Sequence, residues 1–144
     1  MNIDPVREVS SELVEAVTRL LPQLSPSSPL PDAAFLTHML AQPGCTLFVA
    51  RPDAQQPIVG MATLILFHTP TGSHAWLEDV VVDQAWRGQG IGEQLTRACM
   101  AAAAQQGAKS LSLTSRPARV AANRLYQRLG FQPWQTNVYR LLFE

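Results

Sequence analysis

The chain has 144 residues, 47% of them hydrophobic, with 11 basic and 11 acidic side chains. That length predicts one domain, residues 1–144, built around one sizeable core. A formal net charge of zero excludes a sequence-independent grip on nucleic acid, which needs a basic surplus, and no apolar run approaches the ~20 residues of a membrane span.

Residues 3–9 alternate loosely and predict a first strand, confined to an edge by Pro5. Ser10 or Ser11 is the N-cap of a first helix, with Leu13, Val14, Val17, Leu20 and Leu21 on its apolar face and an end near Pro22. The serine- and proline-rich residues 25–31 form a loop. Asp32 caps a second, short helix carrying Phe35, Leu36, Met39 and Leu40, which Pro43 and Gly44 stop. Three strands follow at residues 46–50, 58–67 and 75–82, with Gly60 a candidate bulge. The third ends in Val80, Val81 and Val82, the pattern of a strand covered on both faces.

Residues 90–106 predict a long helix with Ile91, Leu95, Ala98, Cys99 and Ala102 on one stripe and Gly107 as its C-cap. Residues 111–114 form another strand. Pro117 opens a helix with Val120, Ala121, Leu125 and Leu129 on its apolar face, ended by Gly130. Residues 138–143 form a terminal strand. This is a mixed α/β order, with a strand–helix–strand crossover expected to be parallel and right-handed.

Asp83-Gln84-Ala85-Trp86-Arg87-Gly88-Gln89-Gly90-Ile91-Gly92 is the most informative segment. Three alternating glycines stand between a buried strand and a long helix. Glycine permits positive φ and close approach of a ligand to the main chain. The helix start presents unpaired N–H groups and partial positive charge, and Arg87 adds a fixed cation, so the segment reads as a phosphate cradle. It is not a P-loop, because no lysine follows the glycines. It is not a dinucleotide fingerprint either, because the sixth position from Gly88 is Glu93 and from Gly90 is Leu95. A plain strand-to-helix turn needs one or two glycines and no arginine.

Arg87-x-x-Gly90-x-Gly92 resembles the pyrophosphate-binding motif of the GNAT superfamily of N-acetyltransferases. Leu77-Glu78-Asp79-Val80-Val81-Val82-Asp83 looks like that family's fourth strand. Asn123-Arg124-Leu125-Tyr126-Gln127-Arg128-Leu129-Gly130-Phe131 looks like its late helix. The resemblance runs from about residue 46 to the end and fits the two amino-terminal helices loosely. It implies a mixed, mostly antiparallel central sheet flanked by helices, with strands 4 and 5 splayed into a slot for acetyl-CoA, the acetyl donor.

Carried over by position, the resemblance gives the main chain of Val80, Val81 and Val82 to the pantetheine arm. It gives Arg87, Gly88, Gln89, Gly90, Ile91 and Gly92 to the pyrophosphate. Tyr126 becomes the general acid for the leaving thiolate, and Asn123, on the same helix face, a cofactor contact. The family's asparagine often stands one turn upstream, where this chain has Arg119. The base for the amine is Glu78, Asp79, a water reached through His74, or no side chain. Arg116 and His74 are the candidate substrate-binding residues; Arg116 binds an acidic group of the substrate, caps the neighbouring helix or pairs with Asp79.

The expected function is transfer of an acetyl group from acetyl-CoA to a primary amine of a small molecule or peptide, directly and within a ternary complex. A catalytically silent acetyl-CoA sensor is the alternative, disfavoured by the retention of Tyr126 and both strand-four carboxylates. Neither Cys45 nor Cys99 lies in a motif for a covalent relay; both read as buried thiols of a reducing compartment. His38, His68 and His74 share no helical face with an acidic partner, so no metal is expected. The amino terminus lacks a basic-then-apolar pattern, which predicts a cytoplasmic location. Apolar Val138, Leu141, Leu142 and Phe143 predict strand pairing with a second copy, a homodimer.

Overall fold

The computed structural model describes residues 1–143. They fall into two compact units, Met1–Thr114 and a second beginning at Ser115.

The first unit holds a five-stranded sheet in the order β1-β2-β3-β4-β5. The strands are β1 (Asn2–Pro5), β2 (Cys45–Arg51), β3 (Gly60–Thr69), β4 (Gly72–Val82) and β5 (Leu111–Ser112). The first four pair antiparallel and β5 joins β4 in parallel. The first and last strands are shorter than residues 3–9 and 111–114. At the start, Val6 still bonds Leu47 O through its N–H, but the ladder stops at Pro5, which has no N–H to give.

Helix α1 (Ser11–Leu24) begins where Ser10 Oγ accepts the Leu13 N–H at 3.1 Å. It runs two residues beyond Pro22. The missing N–H of Pro22 removes one bond in the last turn, and Ser25 N–H still reaches Leu21 O at 2.9 Å. Leu13, Ala16, Val17 and Leu20 form its buried stripe. Helix α2 (Ala33–Leu40) is capped by Asp32, whose carboxylate accepts the Phe35 N–H at 2.8 Å. These helices share a core with Leu47, Val49, Ile58, Met61 and Val81.

Helix α3 (Ile91–Gln105) covers the opposite face with Ile91, Leu95, Cys99 and Ala103. Met61 faces the α1/α2 core, so its neighbour Gly60 faces α3. A Cβ at Gly60 would sit 3.0 Å from Leu95 Cδ1 and 3.4 Å from Ile91 Cγ2. Glycine there lets the helix approach the sheet. Gly60 itself pairs in register with Ala50 and Val82 and is not bulged.

The bulge lies in β4. Met61 pairs with Val81 and Thr63 with Glu78, so Asp79 and Val80 together oppose the single residue Ala62. Asp79 has φ +51, a left-handed backbone that Asp and Asn tolerate better than most residues. β4 and β5 share only the pairs Ala75↔Leu111 and Trp76↔Ser112. Past Trp76 no ladder joins them, which gives the splay expected between strands 4 and 5.

The second unit contains α4 (Val120–Arg128). Pro117 does not open this helix. Residues 117–118 form a turn, closed by Arg119 N–H on Arg116 O at 3.0 Å. Only Tyr126 of α4 is buried, while Val120 is exposed. The Tyr126 and Phe131 rings meet edge to face, 5.8 Å between centroids. The terminal strand expected at residues 138–143 is absent: residues 131–143 have neither helix nor strand, and Val138, Leu141, Leu142 and Phe143 are exposed.

Candidate active site

The glycine segment sits at the head of α3. A short 3-10 turn (Gln84–Trp86) is capped by Asp83, whose Oδ1 accepts the Ala85 N–H at 3.0 Å. Gly88 and Gly90 follow with φ +78 and +80. A Cβ at either would meet nothing within 4 Å. Gly90 is the N-cap and offers no side chain to the first turn of α3. The helix therefore begins with main-chain donors directed at an open, positively polarised surface. Arg87 folds back along the loop and donates from Nε to Val82 O at 3.0 Å. This cradle fits a phosphate group: its backbone conformation is glycine-specific and its floor is open.

Two residues passed over in the sequence hold the loop from behind. Arg19 of α1 contacts the Asp83 carboxylate and also donates to Ile58 O. Gln23 Oε1 accepts the Gln84 N–H at 2.8 Å. Both lie on the polar side of an amphipathic helix, where nothing in the spacing marks them as loop anchors.

At the end of β4, Val81 is buried in the α1/α2 core while Val80 and Val82 are half-buried. The bulge places Asp79 and Val80 outside the β3 ladder. Simple alternation therefore fails for Glu78 and Asp79; both are exposed at the bulge. Partial desolvation of this exposed side chain, and then the neighbouring Asp79 charge, raises the Glu78 carboxyl above its ordinary value.

His74 lies near the other end of β4, six residues from Val80, or about 20 Å along the strand. Its Nε2 bonds Thr71 Oγ1 at 2.9 Å and Thr69 Oγ1 at 3.1 Å, and its Nδ1 meets Ser110 Oγ at 3.5 Å. It joins the β3–β4 hairpin to the chain entering β5.

In the second unit, burial raises the Tyr126 phenol above its ordinary value, with Arg119 opposing. Asn123 Nδ2 donates to Arg116 O at 3.0 Å, closing the turn that leads into α4. The Arg116 side chain is exposed. Ser115 Oγ, absent from the sequence reading, is buried without a hydrogen-bond partner, a cost of about 1–3 kcal/mol that a polar ligand atom would relieve.

Cys99 is fully buried and its thiol is pushed up to about 12; Cys45 is only half-buried and its thiol is also raised. Among the described residues no group of three His, Cys, Asp or Glu side chains is arranged to hold a metal ion, and no helix is long and apolar enough to cross a membrane.

The family model for the acetyltransferase (GNAT) family matches residues 11–131. Glucosamine 6-phosphate N-acetyltransferase 1 of Oryza sativa subsp. japonica is 34% identical over 119 residues, covering 78% of this chain and 70% of the relative. Among solved structures, a Trypanosoma brucei acetyltransferase superposes with a TM-score of 0.79 at 25% identity, over 98% of this chain and 100% of that one. An aminoglycoside acetyltransferase from an uncultured soil metagenomic sample gives 0.83 at 22% identity, over 99% and 96% of the two chains, and shows the shared fold. The matched span contains the bulged β4, the glycine cradle and α4, and the chain belongs to the acetyltransferase (GNAT) family as an acetyl-CoA-dependent N-acetyltransferase.

Proposed function

We propose that residues 1–144 act as one catalytic domain that passes the acetyl group of acetyl-CoA directly to a primary amine of a small molecule or peptide. The observation that carries this reading is the pair of left-handed glycines, Gly88 and Gly90, at the uncapped head of α3. They suit the pyrophosphate, with Arg87, Gln89, Ile91 and Gly92 completing the loop. The pantetheine arm runs along the main chain of Val80, Val81 and Val82, where β4 has parted from β5.

The amine nitrogen attacks the thioester carbonyl carbon, and the carbon–sulfur bond breaks with its electron pair on sulfur. Tyr126 gives the sulfur a proton; a phenol held above its usual pKa stays protonated at neutral pH, as a general acid must. The proton lost by the amine goes to Glu78 or Asp79. Partial desolvation and the Asp79 charge raise the Glu78 carboxyl, which strengthens it as a base. Asn123 orders the approach to α4, and Arg116 is available to an acidic group on the acceptor. His74 has no part in this scheme.

The rice relative makes small phosphorylated amino sugars the first acceptors to try. A thermal-shift titration tests the donor. Acetyl-CoA is expected to raise Tm, with ATP and NAD doing so much less, because a ligand that binds only the folded state stabilises it. Equal shifts from all three ligands would contradict the reading.

A further inference from the structure

Helix α4 carries one stripe that the scheme above uses only in part. Arg119, Asn123 and Tyr126 stand at positions i, i+4 and i+7, which share a face. Arg119 is the N-cap, and hydrogen bonds fix its place on that face. Its N–H donates to Arg116 O at 3.0 Å, and its own O accepts the Asn123 N–H at 3.0 Å. Asn123 Nδ2 donates to Arg116 O, also at 3.0 Å. Along the axis the α-carbons of Arg119 and Tyr126 are about 10 Å apart, within the combined reach of a guanidinium and a phenol. Tyr126 is buried and meets the uncharged ring of Phe131. Arg119 is exposed, and its charge opposes the rise that burial gives the phenol.

We infer that Arg119 is a positioning residue for the general acid: its cation steadies the phenolate that Tyr126 becomes on giving its proton to sulfur. The inference rests on the reading of Tyr126 as that acid. In the step the phenol O–H bond breaks, an S–H bond forms, and the bonding pair stays on the phenol oxygen. The phenolate is reprotonated from solvent, which receives the amine's proton through the general base, so charge balances over a turnover. An ordinary thiol has a pKa of about 8.5 and an ordinary phenol about 10, so the transfer runs about thirtyfold against equilibrium. Burial of the phenol makes it harder still. A fixed cation on the same helix face recovers part of that cost, and arginine stays charged wherever a phenol titrates.

Two readouts test this, one of them independent of turnover. In a Tyr139→Phe background Tyr126 is the one tyrosine left, so the ultraviolet absorbance of tyrosinate follows it alone. Arg119→Gln is expected to move that titration up by about one pH unit. In steady-state kinetics the same substitution is expected to lower kcat about three- to tenfold and to carry the alkaline limb of the rate profile to higher pH, with KM for acetyl-CoA within about twofold of the parent. Arg119→Lys keeps a cation and is expected to recover most of kcat near pH 8. Arg119→Gln added to Tyr126→Phe is expected to cost nothing further, because the arginine acts through the phenol. An unmoved phenol titration with a raised KM would overturn the inference and give Arg119 to a phosphate of the cofactor. A full further loss of kcat when Arg119→Gln is added to Tyr126→Phe would overturn it as well. Wild-type turnover in Tyr126→Phe alone would remove the general acid itself, a failure of the underlying reading that the other two outcomes do not produce.

Discussion

The Arg19 guanidinium and the Asp83 carboxylate, sixty-four positions apart, meet at 3.3 Å. Asp83 is where β4 becomes the glycine loop. Its N–H bonds Val59 O at 2.8 Å and its other carboxylate oxygen caps the following turn. Arg19 reaches Ile58 O as well, so one side chain joins α1, the entry to β3 and the loop. The pair is partly exposed and adds about 1 kcal/mol or less to stability. Its larger effect falls on loop position. Arg19→Met keeps the apolar stem and is expected to raise KM for acetyl-CoA about fivefold, the equivalent of about 1 kcal/mol, with kcat unchanged. Steady-state kinetics with a saturating acceptor check this; a fall in kcat at constant KM would place Arg19 in the chemistry instead.

Gly90→Val introduces a β-branched side chain at φ +80. The left-handed backbone costs a non-glycine residue about 1–2 kcal/mol, and the new side chain occupies the open floor of the cradle. The variant is expected to lose the acetyl-CoA thermal shift while retaining a cooperative unfolding transition. A full-sized shift would show that the phosphates bind elsewhere.

The two carboxylates at the bulge set a pH dependence. A general base must be unprotonated, so with Glu78 as the proposed base the rate is expected to fall as pH drops through its pKa, which lies above the ordinary carboxylate value. Asp79 contributes to that rise by like-charge repulsion. Asp79→Asn, which tolerates the left-handed backbone, is expected to shift the acid limb of the rate profile to lower pH with the same acceptor. Glu78→Gln is expected to abolish that limb. An acid limb unmoved in both variants assigns it to the acceptor amine.

The glycine cradle was legible because positive φ and helix starts restrict the residue types they accept. Ser10 and Asp32 were legible as caps for the same reason. The β4 bulge was not: Asp79 and Val80 follow Glu78 and lead into Val81 and Val82 with no glycine or proline to mark an extra residue, and only the pairing partner Ala62 reveals it. Arg19 and Gln23 were hidden because a long-range anchor leaves no local periodicity. At the tail, Val138 to Phe143 carry strand-like residue types, but intrinsic preference alone does not make a strand, and among the described residues no ladder includes positions 131–143.

Burial makes a clean prediction for the thiols. Cys99 is fully enclosed with its pKa pushed up to about 12, while Cys45 is half-buried. A thiol reagent at pH 8 is expected to label Cys45 alone in the folded protein and both cysteines after unfolding. Labelling of Cys99 in the native protein would mean that α3 opens readily from the sheet.

Tyr126→Phe is expected to lower kcat by ~10² or more, within the usual range for a general acid, and to leave the acetyl-CoA thermal shift in place. A second signature is alkaline. The folded phenol is raised above its unfolded value of 10, so its contribution to stability is present below pH 10 and is lost as pH rises through the folded pKa. The Phe variant is expected to lose less stability above pH 10 than the parent. Wild-type turnover in Tyr126→Phe would remove this phenol from the mechanism.

The most direct test of the central claim is release of free coenzyme A from acetyl-CoA across a panel of primary amines, with mass spectrometry on the acceptor. Amino-sugar phosphates lead the panel, followed by aminoglycosides, polyamines, amino acids and peptides. Amine-dependent thiol release is expected, with one acetyl group gained on the acceptor nitrogen and at least a ~10²-fold loss in Tyr126→Phe. Tight acetyl-CoA binding without thiol release for any amine in the panel would contradict it and make the protein a binder of the cofactor alone.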